Sequence, residues 1–343
     1  MRSRAWQIIA GWPLGMLVLV SLLASLVDSA VAMDDGSVMP ELDGSRVVVD
    51  AQTGLSYQVE VSMPDAPRPA QGYPVLVVLD GNARFPLLRE ARDTLTRKGP
   101  EGSALPLVIV GVGYPGAERF DSQRRRWDFT PPVPTDIAAH AAEAGEEGAS
   151  AKGQESVQEG GADQFLHFLS AQLLPMLERD LTLDPERRAL LGHSLGGLFA
   201  LYAQQRCPEC FRRLFAISPS LWWGQRYLVQ ALDARLQDAE WCEALEGTSL
   251  LVGVGAREQS PREGHVGSQR DRLRLRRAMV DEARDYQRRL QQRCVSLSSE
   301  LMIFAGEDHG SVMWPAARQV VERLADHEQE SRSGESLRDR GSS

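Results

Sequence analysis

The stretch Arg188-Ala189-Leu190-Leu191-Gly192-His193-Ser194-Leu195-Gly196-Gly197-Leu198 decides the reading of this chain. Arg188–Leu191 is a short apolar run of strand type, and Leu198–Gln205 continues as a helix. Between them Gly192-His193-Ser194-Leu195-Gly196 matches G-x-S-x-G. A serine in so sharp a strand-to-helix turn has its hydroxyl exposed. The turn closes only if the residues two before and two after it are small, and Gly192 and Gly196 meet that need. The helix N-terminus that follows presents backbone N–H groups to a developing negative charge, with the Leu195 N–H as the first candidate donor. Ser194 is therefore the candidate nucleophile.

The surrounding pattern predicts an α/β sheet. Pro74–Leu79, Leu105–Val112, Arg213–Ile217, Thr248–Val254 and Leu301–Phe304 are short apolar runs without alternation, the pattern of strands buried on both faces of a parallel sheet. Helical stripes separate them. Asp163–Asp180 carries Phe165, Leu166, Leu169, Leu173 and Leu177. Leu273–Gln292 carries Leu275, Met279, Ala283, Tyr286 and Leu290, with Arg and Asp on its other side. Pro315–Leu324 closes the series. Arg46–Met63 has no helix inside it, alternates at Tyr57, Val59 and Val61, and turns at Gln52-Thr53-Gly54, so the sheet begins antiparallel. The expected fold class is a mostly parallel central sheet with helices on both faces.

A serine nucleophile needs a base and an acid behind it, in the chain order Ser, acid, His. His309 follows the last strand directly, in Gly306-Glu307-Asp308-His309-Gly310, and is the candidate base. His193 sits in the turn itself and cannot fold back on its neighbour. The acid belongs after Thr248–Val254, where Glu258 stands; Glu263 and Asp271 are alternatives, and a Ser–His dyad is a further one. Asp308 adjoins the base but lacks the angle to reach its Nδ1. A second oxyanion donor is expected from Leu79-Asp80-Gly81-Asn82, as the N–H of Gly81 or Asn82. Arg124-Arg125-Arg126 beside Trp127 and Phe129 could hold an anionic, aromatic substrate, or pair with Asp121 or Asp128. Trp222 and Trp223 are expected at the pocket edge.

The 343 residues carry 38 Lys plus Arg against 47 Asp plus Glu, a net charge of -9. That balance argues against non-specific nucleic-acid binding. Much of the net negative charge lies in Asp136–Gly161, which is rich in Ala, Glu and Gly and reads as a disordered insert; the polar 326–343 reads as a disordered tail. One α/β domain is expected over 46–325. Residues 1–32 read as a secretory signal peptide: Arg2 and Arg4, then an uncharged run to Val27, then Ala30-Val31-Ala32. The other reading is an uncleaved N-terminal anchor, and only that reading brings the membrane in as a partner. Either way the folded part is exported, periplasmic or secreted. The four cysteines then favour disulfides, with Cys207 and Cys210 as a local bridge and Cys242–Cys294 as the second.

These residues together resemble the esterase D-like branch of the α/β-hydrolase superfamily, and within it the periplasmic siderophore esterases that cleave enterobactin and salmochelin trilactones. The likeness rests on Leu79-Asp80-Gly81-Asn82, Arg125-Arg126-Trp127-Asp128-Phe129-Thr130-Pro131, Gly160–Phe165, the serine turn with Ser218-Pro219-Ser220-Leu221-Trp222-Trp223, and Asp308-His309-Gly310-Ser311-Val312. It implies an α/β-hydrolase fold and ester hydrolysis without metal or organic cofactor, with Ser194 as nucleophile and His309 as base. The substrate would be a small-molecule ester, including a ferric siderophore. A generic carboxylesterase or acyltransferase of the same fold, or a hydrolase-like binding protein, is the alternative.

Overall fold

The computed structural model describes residues 44–95, 104–134, 158–261 and 267–326. The strands are β1 (Gly44–Val49), β2 (Ser56–Ser62), β3 (Tyr73–Leu79), β4 (Val108–Gly113), β5 (Leu183–His193), β6 (Arg213–Ile217), β7 (Ser249–Gly255) and β8 (Ser298–Phe304). They form one eight-stranded sheet in the order β1-β2-β4-β3-β5-β6-β7-β8. β1 pairs antiparallel with β2, and β2 antiparallel with β4. From β4 to β8 every pairing is parallel. This is the expected mostly parallel sheet with an antiparallel start.

Alternation along each strand assigns its side chains to the two layers. Leu76 and Val78 of β3, with Ile109 and Leu191, face α1 (Gly81–Leu95) and the helix 313–326, through Phe85, Leu88, Val312, Ala316 and Val320. Val75, Val77 and Leu79, with Leu190 and Leu214, face the opposite layer. That layer holds α2 (Ser122–Phe129) and the long helix α3. α3 runs from Ala162–His167 through a π-helical segment, Phe168–Leu173, into Leu174–Leu181. It also holds α4 (Leu195–Arg206), α5 (Trp223–Arg235), α6 (Ala239–Ala244) and α8 (Met279–Arg293), whereas α7 (Gln269–Arg277) buries only Asp271. The central strands β3, β4, β6 and β7 are buried on both faces, which is why they read as continuous apolar runs, whereas the edge strands β1 and β8 are largely exposed.

Several boundaries differ from the sequence reading. The helix expected over Leu273–Gln292 is two helices, α7 and α8, broken at Ala278, which takes a left-handed conformation (φ 44, ψ 40). Leu275 consequently leaves the apolar stripe and is 49% exposed. The strand at Arg188–Leu191 begins five residues earlier, at Leu183, because its first part pairs with Tyr73 across an irregular register. The insert read as Asp136–Gly161 ends sooner. Glu159 pairs with Arg126 at 3.1 Å, and the Gly160 N–H donates to Thr130 Oγ1 at 2.8 Å. Residues 136–157 of the insert, the 1–32 segment, the tail from 327 and Glu263 lie outside the described residues. Both disulfides form, Cys207–Cys210 and Cys242–Cys294, with Cα–Cα separations of 5.4 and 4.9 Å that suit such bridges.

Candidate active site

The serine turn forms between β5 and α4. Ser194 has φ 61 and ψ −118, a conformation that few non-glycine residues adopt. Surrounding bonds hold it there: the Ser194 N–H donates to Ile217 O at 2.9 Å, and Ser194 O accepts from Leu198 N and Ser220 N at 3.0 and 3.1 Å. A Cβ on Gly192 would meet Gly196 O at 1.9 Å, and one on Gly197 would meet Ile217 O at 2.9 Å. One on Gly196 would make only ordinary contacts, the nearest at 3.6 Å. The second glycine that closes the turn is therefore Gly197, not Gly196 as the motif spacing suggested.

Three side chains from three sheet ends meet at this turn. His309 Nε2 lies 3.0 Å from Ser194 Oγ, and His309 Nδ1 lies 2.7 Å from Glu258 Oε2. Glu258 ends the 3₁₀ turn Ala256–Glu258 directly after β7, and its side chain is 1% exposed. Its second oxygen accepts from Ser218 Oγ and from the Gly255 N–H at 2.8 Å. A buried carboxylate needs such donors on both oxygens. The acid facing His309 is thus Glu258. Asp308 is turned the other way, accepting from the Gly310 and Ser311 N–H groups at 2.9 and 3.1 Å. Asp271 stands on α7, 3.9 Å from Arg274.

His193 has a place that the sequence did not suggest. Its Nε2 lies 3.0 Å from the His309 carbonyl oxygen and its Nδ1 3.2 Å from Arg84 Nη2. Burial, then the neighbouring His309 and Arg84, hold its pKa well below the ordinary histidine value. It is a neutral ring that donates from Nε2, accepts at Nδ1, and ties down the loop carrying His309.

A cavity of about 400 Å³ opens on Ser194 and His309. Leu195, Arg125, Arg126, Trp222 and Trp223 are among the residues that line it. Both arginines are also held by acids. Arg125 grips Asp80 through two bonds of 3.0 and 2.9 Å, and Arg126 meets Glu159. Burial works against the Arg125 charge, but Asp80 outweighs it and raises the pKa above the ordinary value. The pairings expected with Asp121 or Asp128 fall to Arg124 alone, 3.8 Å from Asp128, while Asp121 caps α2. Gly81 and Asn82 begin α1 and are not among the cavity-lining residues. The Asn82 side chain instead pins the loop after β4, donating to Tyr114 O and Ala117 O at 3.0 Å each.

This fold and constellation define a serine hydrolase of α/β architecture. The sequence profile of the family described as "Putative esterase" matches residues 51–288, and the chain belongs to that family. It is an ester hydrolase. Among its relatives, ferri-bacillibactin esterase BesA of Bacillus subtilis (strain 168) is 31% identical over 269 residues, 78% of this chain and 84% of that protein. The siderophore enterobactin esterase of Emericella nidulans is 32% identical over 281 residues, 76% of this chain and 86% of that protein. Among solved structures, siderophore hydrolase EstA from Aspergillus nidulans superposes with a TM-score of 0.68 at 27% identity, covering 82% of this chain and 94% of that one. The BES protein from Bacillus cereus gives 0.66 at 28%, covering 82% and 95%.

Proposed function

We propose that this protein is an exported siderophore esterase that hydrolyses the ester bonds of catecholate trilactones through an acyl-enzyme on Ser194. The observation that carries the reading is the chain Ser194–His309–Glu258 at the mouth of an arginine-lined cavity. His309 Nε2 takes the Ser194 proton as Oγ attacks the ester carbonyl carbon. Glu258 holds Nδ1–H and so fixes both tautomer and ring direction. The negative charge that develops on the carbonyl oxygen is met by the Leu195 N–H at the start of α4. Such a donor is worth about 3–4 kcal/mol in comparable sites. Collapse breaks the ester C–O bond, and the leaving alkoxide recovers the proton from His309. Water then attacks the acyl carbon, its proton passing to His309, and Ser194 is released.

The names of the relatives supply the substrate class, and Arg125, Arg126, Trp222 and Trp223 supply chemistry suited to anionic aromatic groups. The signal-like residues 1–32 and the two disulfides support export to the periplasm or beyond. The test is hydrolysis of enterobactin, followed by chromatography of the linear products. Cleavage that Ser194→Ala abolishes supports the reading. Turnover of a short p-nitrophenyl ester with no trilactone cleavage removes the siderophore and leaves a general carboxylesterase.

A further inference from the structure

The turn after β6, Ser218-Pro219-Ser220, puts one hydroxyl at each end of the catalytic constellation. Ser218 Oγ donates to the Glu258 oxygen that His309 does not use. Ser220 stands at the other end, its Oγ 3.3 Å from Ser194 Oγ. It lines the cavity and is nevertheless only 2% exposed. Its backbone closes the turn without help from the side chain. The Ser220 N–H donates to Ser194 O at 3.1 Å, and Ser220 O accepts from the Trp223 N–H at 3.0 Å. A buried hydroxyl costs stability unless it is hydrogen-bonded, and among the described residues the partner of this one is the nucleophile itself. Packing at this position would be served as well by alanine. The hydroxyl therefore calls for a role at Ser194.

The neighbouring bonds decide which of the two serine oxygens donates. A carboxylate only accepts, so the proton between Glu258 and His309 sits on Nδ1. In the neutral ring Nε2 is then an acceptor, and the single Ser194 hydroxyl proton points to it. What remains for Ser220 is to donate into a lone pair of Ser194 Oγ. We propose that Ser220 is a further catalytic residue, whose O–H stabilises negative charge on Ser194 Oγ and acts chiefly in the release of the acyl group. The proposal rests on the Ser194 acyl-enzyme mechanism and is independent of the siderophore. Free Ser194 is a good acceptor, so acylation starts with this hydrogen bond already made. In the acyl-enzyme Oγ is the bridging oxygen of an ester. Its lone pair is drawn towards the carbonyl, and the bond from Ser220 is weak. When the second tetrahedral intermediate collapses, the C–Oγ bond breaks, its electron pair goes to Oγ, and the proton on His309 Nε2 follows. Over that step the bond from Ser220 grows from weak to charge-assisted, and only an interaction that strengthens in this way lowers a barrier. The 3.3 Å separation of the resting site leaves room for it to tighten.

The experiment follows hydrolysis of p-nitrophenyl acetate by stopped flow in the wild type and in Ser220→Ala. The burst of p-nitrophenol reports acylation, and the steady rate after it reports deacylation. The burst amplitude counts competent sites, so a partly unfolded preparation distorts neither constant. In the variant the deacylation constant should fall about tenfold, the lower range for a hydrogen bond to a charged oxygen, while acylation falls less than about threefold. KM should then fall together with kcat, and acid-quenched samples should show an acetyl group accumulating on the Ser194 peptide. A merely structural role moves both constants by the same factor or moves neither. Either result overturns the proposal and leaves the Ser194 mechanism standing. If Ser220→Ala does not fold, Ser220→Cys keeps nearly the same volume, weakens the donor, and is read by the same two constants. Wild-type activity that survives Ser194→Ala overturns the acyl-enzyme mechanism and the proposal with it.

Discussion

Ser194 owes its backbone geometry to glycine contacts that a sequence pattern only half reveals. The local motif names Ser194 because its meaning lies within five consecutive residues. It misassigns the second small residue, since the contact that matters, Gly197 against Ile217 O and Pro219 Cα, crosses to β6 and its loop. Gly192→Ala should abolish soluble folding, because a Cβ 1.9 Å from a backbone oxygen has no room to relax. Gly196→Ala should leave the melting temperature unchanged or raise it, by up to about 1 kcal/mol of helix preference; expression and thermal melting check both. His309 was legible from its place after the last strand. Glu258 was legible only as one of several acids, because its bonds to Ser218 and His309 span 40 and 51 residues. Glu258→Gln keeps the shape and loses the charge that fixes the His309 tautomer. We expect kcat to fall on the order of 10⁴-fold, as in comparable triads, with KM little changed. A loss below tenfold, read by steady-state kinetics, would mean that Ser194 and His309 act as a dyad.

At the scale of elements, apolar runs and stripes located the strands and most helices because burial on both sheet faces writes itself into composition. The α7–α8 break escaped, since no Gly or Pro marks it and Ala278 takes the left-handed turn instead. That break matters to the site: it turns α7 away from the apolar stripe and brings Arg270, Arg274 and Arg277 to the cavity. The arginines read as a solvent face because helical periodicity shows which side is polar but not what that side meets. The Cys242–Cys294 bridge ties α6 to the end of α8 across a separation of 52 residues. Chain-entropy reasoning gives such a crosslink about 4 kcal/mol, and a three-residue loop less than half of that. Cys242→Ser/Cys294→Ser should therefore lower the urea midpoint by clearly more than Cys207→Ser/Cys210→Ser. Equal losses would assign the larger role to local packing.

Across the whole molecule, the sheet gathers Ser194, Glu258 and His309 at the C-terminal ends of β5, β7 and β8, the side on which open parallel sheets carry ligands. The same folding buries charge elsewhere. Asp128, on the buried side of α2, accepts from Tyr57 OH at 3.0 Å, and burial pushes its pKa up to about 7 against the pull of Arg124. Its unfolded value is the ordinary 3.8. Between these two values the unfolded chain has lost the proton and the folded chain has kept it, so this group's contribution falls as pH rises from about 4 to 7. His193 has the opposite sign: its folded pKa is depressed, so its contribution is lost as pH falls below the ordinary value of 6.5. Because the slopes oppose, the informative quantity is the difference between variants. Asp128→Asn should gain stability relative to wild type between pH 5 and pH 8, and thermal melts across that range would show it. A constant difference would mean that Asp128 keeps the same charge throughout.

The proposed activation of Ser194 by His309 and Glu258 for attack on an ester carbonyl has a direct chemical signature. The most direct measurement is reaction with an alkyl fluorophosphonate, followed by peptide mass spectrometry. A single phosphonyl adduct on the Ser194 peptide, lost in His309→Ala and slowed in Glu258→Gln, is the predicted result. An unlabelled Ser194 in folded wild-type protein, or labelling indifferent to His309, would contradict it.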